Sequence, residues 1–136
     1  MADGMTVKLS GASKLARRLA ALERNAGRTI LSRATAAGAE VIRQEAVRLA
    51  PRSARKGVHA ADHIKRRRVK ASRSRAEFAI GYDKKKAWYL RFLELGTKFI
   101  SAQPHLRPAL DTKKNEATRE VGRELKRGID AARKKA

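Results

Sequence analysis

The chain is 136 residues long, 42% hydrophobic but only 4% aromatic, with 34 Lys and Arg against 13 acidic residues, a net charge of +21. Length and composition fit a single domain, 1–136, with a modest alanine-rich core. The absence of cysteine excludes a disulfide framework and thiol chemistry; no apolar run approaches the ~20 residues that cross a bilayer, and Met1–Ser10 lacks an apolar signal core, so the expectation is a protein that stays in the cell that makes it or leaves in a particle.

Met5–Leu9 alternates weakly and predicts a short strand. Ser10, Gly11 and Ser13 mark a turn and a helix N-cap. A helical stripe follows at Leu15, Leu19, Leu22 and Ala26, and resumes at Ile30, Ala34, Ala37, Val41 and Leu49. The reading is one long helix kinked near Asn25 and Gly27, or two helices, across 12–50. Pro51 ends it, because proline cannot continue the ladder and disfavours helix in the residue before it. Residues 52–63 read as a basic loop. Ile64, Val69, Phe78, Ile80 and Tyr82 then predict two antiparallel strands, 64–71 and 75–82, about a turn at Ala71–Arg75. Lys84–Leu95 predicts a short helix with Trp88, Phe92 and Leu95 on one face and Gly96 in the C-cap position. Pro104 and Pro108 bracket the start of a last helix. Its stripe of Leu110, Ala117, Val121, Leu125, Ile129 and Ala132 runs through roughly 26 residues, or about 39 Å. The expected fold is α+β: a small antiparallel sheet packed with a long N-terminal helix, a short helix and a long C-terminal helix.

Residues that carry chemistry are few. His59 and His63 lie four apart, but no third or fourth ligand is near and no HExxH pattern exists, so a polar loop is the expected reading and no metal site is assigned. His105, between Pro104 and Leu106, reads as structural. Glu116, Glu120 and Glu124 run beside Lys113, Arg119, Arg123, Lys126 and Arg127, the pattern of a solvated, salt-bridged helix face. Glu94 stands in an apolar context without a partner acid or base, so capping of backbone amides or pairing with an arginine is expected of it. No glycine loop for phosphates and no nucleophile elbow is present. The expectation is a protein that is not an enzyme and carries no cofactor.

The densest signal is basic. Between residues 52 and 75, Arg52, Arg55, Lys56, Lys65, Arg66, Arg67, Arg68, Lys70, Arg73 and Arg75 are opposed by Asp62 alone. In a strand, Lys65 and Arg67 face one way and Arg66, Arg68 and Lys70 the other; one face has to pack, so some of these stems are expected to line an edge or an intersubunit seam. The hairpin, about 64–82, suits phosphate contact without reading of sequence. It has no interleaved aromatics, which argues against stacking on single strands.

Two C-terminal blocks carry a family pattern: Tyr89-Leu90-Arg91-Phe92-Leu93-Glu94-Leu95-Gly96-Thr97 and Ala102-Gln103-Pro104-His105-Leu106-Arg107-Pro108-Ala109-Leu110. They resemble the tail-component family of lambdoid and other long-tailed phages, in which a Tyr, apolar, Glu-x-Gly-Thr block precedes a loop and a Pro-x-Leu-Arg-Pro-Ala-Leu helix start. Ala50-Pro51, Gly57 and Ile80-Gly81 agree with the rest of that pattern; Lys56-Gly57-Val58 and Leu95 depart from it. Glu94, Gly96, Thr97, Pro104, Leu106, Arg107, Pro108 and Leu110 are the residues that match. The resemblance implies a virion role at the neck, as a tail-completion or head–tail joining subunit. It implies a homo-oligomeric ring, six-fold favoured, acting with tail-terminator, head-completion or stopper, adaptor and portal proteins. Assembly would take place in the host cytoplasm. Packaged DNA, or an acidic surface of a neighbouring ring, is a further expected contact, through Lys65, Arg66, Arg67, Arg68, Lys70, Arg73 and Arg75; no membrane is. The alternative is a sequence-nonspecific nucleic-acid-binding protein, and a small basic nuclease ranks last because the histidines show no acid–base pairing.

Overall fold

Segregated strand and helix patterns lead to a three-stranded antiparallel sheet with a pair of long helices. The computed structural model describes residues 4–9, 13–51, 60–72, 74–82, 91–99 and 101–135, and for 4–9, 13–16, 60 and 135 the backbone alone. In chain order these form β1 (Gly4–Leu9), α1 (Ser13–Ala20), α2 (Arg24–Leu49), a 3-10 turn (Ala60–His63), β2 (Ile64–Ala71), β3 (Ala76–Tyr82), α3 (Arg91–Leu95) and α4 (Leu106–Lys135).

The break between the first two helices lies at Ala21–Glu23, not at Asn25 and Gly27, which are inside α2. The cause is a cap. The Glu23 carboxylate accepts the amides of Asn25 at 3.0 Å and Ala26 at 3.1 Å, which leaves Asn25 and Gly27 free to join the ladder. At the other end Ala50 is extended (φ −62°, ψ 138°), as the residue before a proline prefers.

β3 is the central strand of the order β1-β3-β2, and all seven of its residues are buried. Phe78, Ile80 and Tyr82 pack on Ala39, Ile42 and Ala46 of α2 and on Leu106, Ala109 and Ala117 of α4. A second cluster, Leu19, Leu31, Ala34, Ala76, Val121, Leu125 and Ile129, extends this core toward α1. Ile42, Ile64 and Ile80 are at most 1% exposed, and burial of each stabilises the fold by about 1.5–3 kcal/mol.

The buried positions of α2, Gly27, Leu31, Ala34, Thr35, Gly38, Ala39, Ile42, Glu45 and Ala46, recur at three and four residues and are mostly small. Small residues let α4 come close. The ideal Cβ position at Gly38 lies 2.5 Å from Val121 Cγ2, and that at Gly128 lies 2.8 Å from Ile30 Cγ2, so the two helices run antiparallel. Thr35 stays satisfied in this apolar seam by donating to the Leu31 carbonyl at 2.8 Å. The 30 residues of α4 make it about 45 Å long, longer than the sequence stripe marked. Its outer face carries Lys113–Glu116, Arg123–Glu120 and Arg127–Glu124 ion pairs at 3.0, 2.6 and 3.1 Å.

The hairpin is in register as Ile64↔Tyr82 to Arg68↔Phe78, then shifts by one residue, so Val69 is a bulge and Lys70 opposes Glu77. In β2 only Ile64 is buried, and Lys65–Lys70 are all exposed. The expectation that some of these basic stems line an edge agrees with this: β2 is an edge strand, and its inward arginines lie along the polar flank of α2, outside the apolar core. The predicted helix 84–95 appears as Arg91–Leu95; Lys84–Leu90 lie outside the described residues. So do His59, the loop 52–59 and Arg73.

Candidate functional site

The residues of the two C-terminal blocks converge on one carboxylate. Gly96 ends α3 with φ 77°, a conformation side-chain-bearing residues resist, and donates its N–H to the Phe92 carbonyl at 2.8 Å. A Cβ there would also sit 3.0 Å from the Ala102 nitrogen. The Gln103 amide donates to the Leu93 carbonyl at 2.6 Å, so the chain closes a loop and returns to α3. Glu94 then reaches the start of α4. Its Oε2 accepts the amides of His105 at 2.7 Å and Leu106 at 3.0 Å, and its Oε1 that of Arg107 at 3.0 Å. These are N–H groups that a helix start leaves without a partner, and a negative charge is favoured there by the helix dipole. Leu106 is buried in the core, Leu110 packs against it, and Pro108 lies in the first turn, where a missing N–H is tolerated. The Thr97 hydroxyl accepts from the Phe99 amide at 3.2 Å; Pro104 is exposed, and the Arg107 guanidinium lies 3.4 Å from Asp111.

His105 is fully buried, with Nδ1 at 3.1 Å from both the Gln103 carbonyl and Glu94 Oε2. Its ring meets that of Tyr82 at a centroid distance of 5.5 Å, tilted. Burial holds the imidazole below its ordinary value, while the Gln103 carbonyl pulls the other way. The Glu94 carboxylate also favours the protonated ring, but three amides already occupy it, and burial prevails. Below about pH 6.5 the unfolded histidine therefore takes up a proton that the folded one does not, and stability is lost as pH falls through that range. Urea unfolding across it checks this. The His105→Gln variant is expected to show a shallower pH dependence than the native chain, by at most about 1.4 kcal/mol per pH unit; identical slopes would refute a neutral buried ring.

The basic strand is divided by its surroundings. Arg66 turns onto α2, donating to the Ala36 carbonyl at 2.7 Å and lying 3.2 Å from Glu40. Arg43 holds the same carboxylate at 2.6 and 2.8 Å and reaches the Ile64 carbonyl at 3.5 Å. Two arginines on one acid staple β2 to α2 and keep the Glu40 carboxyl below its usual range, chiefly through the Arg43 hydrogen bond. Arg66 is therefore a structural residue. Arg68, two positions on along the same face, meets no acid among the described residues. It lines a groove of about 430 Å³ with Asn25, Arg28, Thr29, Ser32 and Arg33 of α2. Lys65, Arg67 and Lys70 are exposed, and Arg75 at the hairpin turn is half exposed and pairs with Glu77.

The sequence singled out Arg68 but not Arg28 or Arg33. The available signal was that 24–39 contains no acid and that Asn25, Arg28 or Thr29, and Ser32 recur at helical spacing opposite the apolar stripe. Among the described residues no three His, Cys, Asp or Glu side chains cluster as a metal site would require, and no helix is long and apolar enough to cross a membrane.

Residues 13–96 match the profile of the family described as "Bacteriophage HK97-gp10, putative tail-component". The chain belongs to this family. The matched stretch runs from α1 through α2 and the hairpin to Gly96, so this tail component has its Glu94 inside the family region and the amides that Glu94 caps outside it. No curated protein and no solved structure matches the chain. For the tail component a place in the virion follows from the family, and the resemblance read from the C-terminal blocks agrees with it.

Proposed function

We propose that this tail component is a structural, non-catalytic subunit of the neck, which completes the top of the tail or joins it to the capsid connector as part of a homo-oligomeric ring. The family match over residues 13–96 carries this reading. Three further observations support it. Glu94 fixes the angle at which α4 leaves the α3 loop, and a closed ring needs a fixed subunit geometry because small angular errors accumulate. Leu95, at the end of α3, and Phe99, on the loop after it, are 78% and 90% exposed, apolar surface suited to a neighbouring subunit. A charge of +21 also repels copies of the chain from each other unless an acidic neighbour or DNA compensates it. Six-fold order is favoured, with tail-terminator, stopper, adaptor or portal proteins as neighbours.

The charge favours a second reading, a sequence-nonspecific nucleic-acid-binding protein acting outside the particle. Electron microscopy of a lysate from phage with a stop codon in this gene separates the two. Full heads and separate tails are expected. Normal infectious particles would sink the neck assignment and leave the second reading.

A further inference from the structure

We propose that the groove between the first third of α2 and the far end of β2 binds the phosphodiester backbone of duplex DNA. Arg28, Arg33 and Arg68 line it from two elements, with Asn25, Thr29 and Ser32 between them. No hydrogen bond or ion pair joins any of these three guanidiniums to another described residue, in contrast to Arg66 and Arg43, which share Glu40. The nearest acids along α2 are already engaged. Glu23 caps the Asn25 and Ala26 amides, and Glu40 is held by its two arginines. Three like charges around one groove repel each other, and an anion seated among them relieves that repulsion.

The chemistry of the walls selects the anion. Arginine forks with hydroxyl and amide donors beside them are the groups that hold phosphate oxygens. Among the described residues the lining contains no aromatic or aliphatic side chain. A docked acidic peptide would need such an anchor, and single-stranded bases would need a stacking surface. With no base-reading element beside it among the described residues, the contact is blind to sequence. The bulge at Val69 turns Lys70 to the face of Glu77, so the groove's charge on β2 comes from Arg68. This inference goes beyond the neck assignment and is measured on the isolated chain, so infectious stop-codon phage would remove that assignment and leave this one standing.

The test is fluorescence anisotropy of the full chain with a labelled random-sequence duplex, at several salt concentrations. The groove variant carries Arg28→Gln, Arg33→Gln and Arg68→Gln. The control carries Lys114→Gln, Arg119→Gln and Lys126→Gln, an equal charge change on exposed positions of α4. The groove variant is expected to bind at least about tenfold more weakly near physiological salt and to lose about 2–3 from the slope of log affinity against log salt, at 0.9 per phosphate. Equal losses in both variants would assign the binding to net charge and overturn the groove. Retention of native affinity by the groove variant would overturn it too, leaving an acidic protein as the partner. A parallel titration adds inorganic phosphate against chloride at matched ionic strength; displacement of the duplex by phosphate alone would make this a small-anion site. Circular dichroism confirms that each variant folds, and an Arg28→Lys, Arg33→Lys, Arg68→Lys chain, which keeps the charge, is expected to keep most of the salt slope.

Discussion

Glu94→Ala is expected to lower the melting temperature by about 10 °C, the largest effect of any change at a half-buried polar side chain here. One carboxylate serves the amides of His105, Leu106 and Arg107 and touches the His105 ring. Loss of an ordinary N-cap costs about 1 kcal/mol, and hydrogen bonds to charged groups contribute about 1.5–3 kcal/mol each, though not additively. A net loss of about 2–3 kcal/mol follows, and a chain of this size shifts by about 3–5 °C per kcal/mol. His105 and Leu106 are buried, so water replaces the lost acceptor poorly. Glu94→Gln keeps an acceptor oxygen but not the charge, and should fall between the two. Thermal unfolding followed by circular dichroism reads this directly; a shift under about 2 °C for Glu94→Ala would mean that the start of α4 is held by packing alone.

The second large effect is a pair of opposite signs. Gly38 and Gly122 both lie inside long helices, where alanine is favoured over glycine by about 1 kcal/mol. Propensity alone predicts that both Gly→Ala changes stabilise. At Gly122 nothing lies within 4 Å of the new methyl group, and a gain of about 1 kcal/mol is expected. At Gly38 the new methyl group falls 2.5 Å from Val121 Cγ2 and 3.1 Å from the Ala117 carbonyl oxygen. Valine is stiff at χ1 and the carbonyl belongs to a helix, so neither yields cheaply. Overpacking of this kind costs about 1–3 kcal/mol. In urea unfolding Gly122→Ala should move the midpoint up and Gly38→Ala down. Val121→Ala should recover part of the Gly38→Ala loss, by coupling between residues in contact. Two upward shifts would show that α2 and α4 lie further apart than their glycines allow.

Much of this architecture was readable from local pattern. Alternation at Phe78, Ile80 and Tyr82 placed β3, and Pro51 placed the end of α2, because both rest on neighbours in sequence. The helix break was misplaced because Asn25 and Gly27 are breakers by propensity, whereas the cap that decides the matter is Glu23, a residue type with little N-cap preference. That Glu94 caps something was legible from its apolar setting. Which amides it caps was not, since they lie 11 to 13 residues away across a loop. The basic strand shows the same limit. Arg66 and Arg68 are alike in sequence, but Glu40 stands beside one and Arg28 and Arg33 beside the other, and only the packing of β2 on α2 separates a staple from a groove.

The segment between Gly96 and His105 is fastened at both ends, by the Gln103–Leu93 backbone bond and by the Glu94 cap. The described residues between them, 97–99 and 101–104, are exposed and carry little of the core's packing. Lengthening it would cost only slowly growing closure entropy, about 0.6 kcal/mol for a doubling, and would leave α4 where it is. Residues such as Phe99 can therefore be exchanged, and the loop reshaped, while the scaffold beneath stays as it is.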